Sequence, residues 1–171
     1  MITIHTHSPA AASPAERRAL LPLLEEVRPL VTTTYWNDVH EPERMLSAHL
    51  NSTAWVVARD ATGELVGTAR AISDGAKAAW IYDVVVVEEL RSRGIGKRLM
   101  DTLLAHPMLR GTRHIHLSTR DADPFYVRLG FGYSDDVCRR PWRRVLMSLD
   151  QGRVPFPAWD EDEPGCSPLA S

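Results

Sequence analysis

Residues 84–100 carry the densest chemistry of the chain: Val84-Val85-Val86-Val87-Glu88-Glu89-Leu90-Arg91-Ser92-Arg93-Gly94-Ile95-Gly96-Lys97-Arg98-Leu99-Met100. Four consecutive valines predict a strand buried on both faces, because β-branched side chains suit a covered pleated surface. A short polar turn follows, and Ile95, Leu99 and Leu103 then recur at helical spacing. The segment is therefore a strand, a tight basic loop and a helix N-terminus. Glycines there let a ligand approach the backbone, and the first amides of a helix lack internal acceptors, so an anion is favoured. Arg91, Arg93, Lys97 and Arg98 add positive charge at the same place. The chemistry is a phosphate or pyrophosphate cradle. It is not a P-loop, which requires four residues between its glycines and then Gly-Lys-Ser/Thr. Nor is it the dinucleotide fingerprint, since Leu99 stands where the third glycine belongs.

The spacing that fits is Arg/Gln-x-x-Gly-x-Gly/Ala, here Arg91-Ser92-Arg93-Gly94-Ile95-Gly96. Beyond it, Phe125-Tyr126-Val127-Arg128-Leu129-Gly130-Phe131 gives Phe-Tyr, three residues, then Gly-Phe, with a strand-like segment from His114 to Ser118 between the two blocks. In these two motifs the chain resembles the GCN5-related N-acetyltransferases over roughly residues 15–150. The resemblance implies a mixed, mostly antiparallel α/β sheet, splayed between the strand before the phosphate loop and the strand after it, with helices on both faces. It also implies acetyl-CoA as cofactor. Val85, Val86 and Val87 would offer backbone groups to the pantetheine arm, and Arg91, Ser92, Arg93, Gly94, Ile95, Gly96, Lys97 and Arg98 would bind the pyrophosphate. Thr119 occupies the position where many relatives have an asparagine touching the cofactor.

Attack of an amine on a thioester needs a base for the ammonium proton, a donor for the carbonyl oxygen and an acid for the departing thiolate. The family tyrosine that matches Tyr126 points at the sulfur, which makes Tyr126 the acid. Asp83 interrupts an otherwise apolar strand, where burial would raise its pKa toward a useful range. Two roles stay open for it: base or amine anchor, and structural hydrogen-bonded carboxylate. Ordered water is the other candidate base. Strand alternation puts Asp83 on one face with Val85 and Val87, and Tyr82 on the other with Trp80 and Val84. Tyr35 and Trp36 come from the region that walls the acceptor site in the family. Asp123 stands where relatives often have a histidine. With Glu41, Glu43, Asp74 and Asp121 it would line a mouth suited to a cationic amine. Together these imply acetyl transfer to a primary amine of a small molecule or an exposed amino group. The alternative is a non-catalytic acyl-CoA sensor on the same fold.

These residues need a sheet and helices to position them. A chain of 171 residues, 44% hydrophobic and 25% charged, suits one domain with a sizeable core. Thr3–Thr6 predicts a first strand, and Ser13-Pro14-Ala15-Glu16 a capped helix start. Leu20, Leu21, Leu24 and Val27 continue a stripe that Pro22 would kink or make start later and that Pro29 would end. Glu41-Pro42-Glu43 opens another helix with Met45, Leu46 and Leu50. Strands are expected at 53–59, 65–72 and from 78, separated by turns at 60–64 and 74–77. A helix over 94–105, a strand at 114–118, a helix at 123–129 and strands near 131–137 and 143–149 complete an acetyltransferase domain over 1–150. Residues 151–171, rich in proline and carrying four acidic residues against one basic, form a separate tail that Phe156 and Trp159 could anchor over the basic loop.

A net charge of −2 argues against bulk attachment to nucleic acid or an anionic membrane. The run Arg139-Arg140-Pro141-Trp142-Arg143-Arg144 is explained as well by a turn as by a nucleic-acid contact. Cys138 and Cys166 are too few for a disulfide scaffold, and the His5/His7 and His114/His116 pairs lack further ligands nearby, so no metal is expected. No apolar run is long enough to span a membrane and no signal peptide is evident, which makes the cytoplasm the expected location. A homodimer stays open.

Overall fold

A computed structural model describes residues 1–37, 40–133 and 145–151, with 145 and 146 as backbone only. The basic run at 139–144, Cys138, and the tail beyond Gln151 lie outside the described residues.

Seven strands form one sheet: β1 (Thr3–His7), β2 (Ala54–Arg59), β3 (Leu65–Ser73), β4 (Ala78–Val86), β5 (His114–Thr119), β6 (Gly132–Tyr133) and β7 (Val145–Asp150), in the order β1-β2-β3-β4-β5-β7-β6. All neighbours are antiparallel except β4 and β5. Alternation along β2 sends Val56 and Ala58 to one face and Trp55 and Val57 to the other. On the Trp55 face lie α1 (Pro14–Ala19), α2 (Leu21–Thr32) and α3 (Pro42–Leu50), with Leu24, Val27, Val31 and Met45 buried against the sheet. On the Val56 face lies α4 (Ile95–Leu104), burying Ile95, Leu99, Met100 and Leu103, followed by the short α5 (Pro107–Arg110) and α6 (Asp123–Val127).

The capping box forms as the sequence predicts. Glu16 N–H donates to Ser13 Oγ at 3.3 Å, and Glu16 Oε2 accepts from the Ser13 amide at 2.8 Å. The stripe is broken at Leu20 and Pro22 sits in the first turn of a second helix, which is the later start and not the kink. One expectation for this region needs correction. Pro29 does not end that helix, which runs on to Thr32. The hydrogen bond that Pro29 cannot make falls on the exposed side of α2, where Glu25 and Pro29 both face solvent.

Two features of β4 make the site. Its pairing with β5 covers only Ala78–Trp80 against His114–His116, and beyond that point the strands part. Its pairing with β3 slips between Thr68, opposite Val85, and Arg70, opposite Tyr82, so β4 carries one extra residue. The bulge is at Asp83, whose φ is +51°. Regular alternation therefore fails here. Ile81, Val84 and Val86 pack on the α4 face and Val85 on the α2 face, while Tyr82 and Asp83 both reach Arg70.

Candidate active site

The parted strands open into a groove of about 1500 Å³. Its walls come from α2, the loop at 33–37, the second half of β4, and the stretch from the end of β5 to Tyr126. Val84 to Val87 run along it. Val87 spends its amide on Val66 O of β3, at 3.0 Å. Alternation of an antiparallel ladder then turns the N–H and C=O of Val86 toward the gap. Arg91 Nε donates to that Val86 carbonyl at 3.2 Å, which puts Arg91 at the cofactor end of the groove.

The loop after Val87 makes a 3-10 turn at Glu88–Leu90, and Gly94 caps α4 at φ +79°, a conformation that favours glycine. Gly96 lies in the first turn of α4, where an added Cβ would sit 3.4 Å from Phe125 Cζ. That close approach gives the Phe-Tyr pair a physical reading. Phe125 rests on the glycine of the helix N-terminus and turns Tyr126, the next residue, to the groove. The basic residues separate. Lys97 Nζ pairs with Asp101 at 2.6 Å, and Arg98 Nη2 donates to Ile2 O, at 2.9 Å, next to β1.

Tyr126 is buried, edge-on to Phe125 at 5.0 Å and to Phe131 at 5.9 Å between ring centres. Burial, and then the nearby Tyr35, push its hydroxyl above the ordinary tyrosine value. It is thus a protonated donor at neutral pH. Thr119 is also buried and lines the groove, but its Oγ1 already accepts from the Ala122 amide at 3.1 Å.

Asp83 is only 8% exposed and receives three donors. Trp36 Nε1 and Asn37 Nδ2 donate to Oδ1 at 3.1 and 3.0 Å, and Arg70 Nε to Oδ2 at 2.6 Å. Burial pushes its carboxyl up, but the Arg70 charge and the hydrogen bonds from Asn37 and Arg70 outweigh that and hold it below the usual carboxylate value. The expected upward shift is therefore corrected. A carboxylate so stabilised is a weak base, which favours the structural role of the two left open.

Tyr35 and Trp36 do line the groove, edge to face at 4.8 Å, and the Arg120 guanidinium lies 3.5 Å from the Tyr35 ring centre. Asp123 is elsewhere. It accepts from the Tyr133 hydroxyl at 2.6 Å and is not among the groove residues. Most of the acidic mouth disperses too: Glu41 stands just before α3, Glu43 sits in its first turn, and Asp74 takes the amides of residues 76–78 in a turn. Asp121 remains in the groove, paired with Arg120 at 3.2 Å. Sequence reasoning passed over Arg70, Asn37 and Arg120. A signal existed for Arg70, the single charge in Val66–Ile72, as Asp83 is in the next strand. The histidine pairs pack on aromatics, His7 on Trp55 at 5.5 Å and His116 on Trp80 at 5.2 Å. Among the described residues no group of three or more metal-ligating side chains forms, and no helix is long and apolar enough to cross a membrane.

A sheet splayed beside a glycine-capped helix, with a buried, protonated tyrosine on the groove, is the arrangement that the sequence resemblance implies. The model of the acetyltransferase (GNAT) family matches residues 20–131, and the chain belongs to that family. It is 40% identical over 105 residues to N-alpha-acetyltransferase 80 of Mus musculus, covering 57% of this chain and 33% of that protein. A GNAT-family protein of Xanthomonas campestris shares 30% identity at a TM-score of 0.61, over 81% of this chain and 92% of that one. An aminoglycoside 6'-N-acetyltransferase complexed with coenzyme A shares the fold at a TM-score of 0.69 and 18% identity, over 90% and 99% of the two chains. The matches span from 27% to 64% of the length of the curated relatives.

Proposed function

We propose that this chain transfers an acetyl group from acetyl-CoA directly to a primary amine, within a ternary complex and without a covalent enzyme intermediate. The observation that carries the reading is the parting of β4 from β5 just beyond Trp80 and His116, with buried, protonated Tyr126 on the same groove. The residues fit the cofactor. Val86 turns its N–H and C=O into the gap, the carbonyl held by Arg91, while Gly94 and Gly96 keep the α4 N-terminus accessible, and Arg91 and Arg93 supply charge for a pyrophosphate. Bound there, acetyl-CoA supplies an activated acetyl thioester.

The chain's own residues then have separable tasks. The backbone of β4 fixes the pantetheine arm, and the Tyr126 hydroxyl holds the proton that a departing thiolate needs. Tyr35 and Trp36 wall the acceptor half of the groove. Asp83 orients Trp36, Asn37 and Arg70 and leaves the acceptor's proton to an ordered water in that half. A thiol-release assay over polyamines, aminoglycosides, amino acids and peptides tests this reading, with turnover of at least one amine expected. Coenzyme A binding by calorimetry without thiol release from any member would instead establish the acyl-CoA sensor, which the weak basicity of Asp83 keeps in view.

A further inference from the structure

The acceptor wall is a continuous run of contacts. Arg120 lies on Tyr35, Tyr35 on Trp36, Trp36 bonds Asp83, Asp83 pairs with Arg70, and the Arg70 guanidinium lies 4.8 Å from the Tyr82 ring centre. Tyr82 stacks in turn on Trp80 at 6.4 Å. Asp83 in this run and Asp121 beside its Arg120 end are both spent on arginines. The carboxylates of the groove without an ion pair among the described residues are Glu64, Glu88 and Glu89, which flank the two ends of β3 and β4 nearest the phosphate loop. The acceptor half therefore has no uncompensated acid to hold a second cation of a polyamine. It has unspent donors instead. Arg70 is held by its Nε on Asp83 and by the face of Tyr82, its side chain 12% exposed on the groove, and its two Nη atoms make no hydrogen bond among the described residues.

We propose that the acceptor carries a carboxylate beside its amine and that the Nη edge of Arg70 is the specificity-determining group that reads it. A planar guanidinium fixed on one edge presents its other nitrogens as a pre-oriented fork, which matches a carboxylate and little else of that size. The pairing with Asp83 keeps the wall near neutrality, so the fork selects by hydrogen-bond geometry more than by long-range attraction. The shared chemistry is a carboxylate near a primary amine, from either a free amino acid or a peptide whose first residues are acidic. The inference rests on the acetyl-transfer reading for the location of the acceptor.

The test uses matched pairs on the full chain: amino acids against their amides, and peptides beginning with aspartate against the same peptides beginning with asparagine. Thiol release should favour the carboxylate member by on the order of ten- to a hundredfold in kcat/KM, the range expected for a hydrogen bond to a charged group. Which pair shows the ratio distinguishes the free amino acid from the peptide. The double variant Arg70→Gln/Asp83→Asn removes both charges together, so neither is left buried alone, and its ratio should collapse toward one whatever its absolute rate. Equal turnover within pairs, preference for polyamines, or a ratio that survives the double variant overturns the proposal. If no amine is acetylated, the activity reading fails separately. The inference is then decided by affinities of the same pairs for the coenzyme A-loaded protein, followed through the indole resonances of Trp36 and Trp80. A tenfold preference for the carboxylate supports it and equal affinity overturns it.

Discussion

The two halves of the groove are built on opposite principles. The cofactor half is main chain: the gap-facing groups of Val86, the open helix N-terminus at Gly94 and the close pass of Gly96 under Phe125. The acceptor half is side chain, a buried ion pair at a one-residue bulge with two aromatic–guanidinium contacts beside it. Main-chain recognition serves any molecule with the same backbone and phosphates. Side-chain recognition is specific to one acceptor and vulnerable to single substitutions. Damage to the acceptor half should therefore cost stability and specificity, and damage to the cofactor half mainly affinity.

The largest effect is expected in the acceptor half. Asp83→Ala leaves Arg70 buried without its partner, a loss of about 3–5 kcal/mol in unfolding free energy by urea titration. Asp83→Asn should cost less, since it keeps an acceptor and tolerates the positive φ. The same pair carries a pH signature. The folded carboxyl lies below its ordinary value, so Asp83 contributes stability above about pH 4, and the contribution is lost as pH falls through the lowered folded value. Stability measured between about pH 2 and 6 should fall more steeply in the wild type than in Asp83→Asn. Parallel curves would mean that the ion pair is not a stability element.

Where the halves meet, Tyr126→Phe should lower kcat by about 10²–10³, the lower part of the range for a positioned general acid. Coenzyme A affinity should stay within about twofold, because the ring packing against Phe125 and Phe131 is kept. Gly94→Ala comes next. Nothing lies within 4 Å of the added Cβ, so the cost is the backbone conformation alone, about 1–2 kcal/mol, which a loop that relaxes when free incurs again on binding, up to roughly tenfold in coenzyme A affinity. An unchanged affinity would deny the loop its role as the pyrophosphate cradle.

The halves also differ in how far they could be read from the sequence. The phosphate loop was legible because its constraints are local: a valine strand, a glycine that caps a helix, and apolar residues at helical spacing all fall within about seventeen positions. The capping box at Ser13 and Glu16 was legible for the same reason. The bulge at Asp83 was not, because alternation is counted along one strand while a bulge is fixed by pairing with another. Arg70, Asn37 and Asp83 come from three separate elements, and only the folded sheet shows that they meet. The continuation of α2 through Pro29 was not legible either, since the local penalty of an interior proline is offset here by the packing of Val27 and Val31 on the sheet, which only the fold shows.

The smallest effect sharpens the contrast within the cofactor half itself. The sequence placed Arg98 with Arg91 at the pyrophosphate, but its guanidinium donates to Ile2 O on the far side of α4, whereas Arg91 faces the gap. An exposed hydrogen bond of this kind is worth under about 1 kcal/mol, and it ties the start of β1 to the helix rather than to a ligand. Arg98→Ala should then leave coenzyme A affinity within about twofold by calorimetry and slightly lower the melting temperature. Arg91→Ala, which removes a cation at the gap, should weaken binding by roughly fivefold with little change in melting. If Arg98→Ala is the more damaging to affinity, the first turns of α4 present a different face to the cofactor, and the boundary between the two halves must be drawn on the other side of that helix.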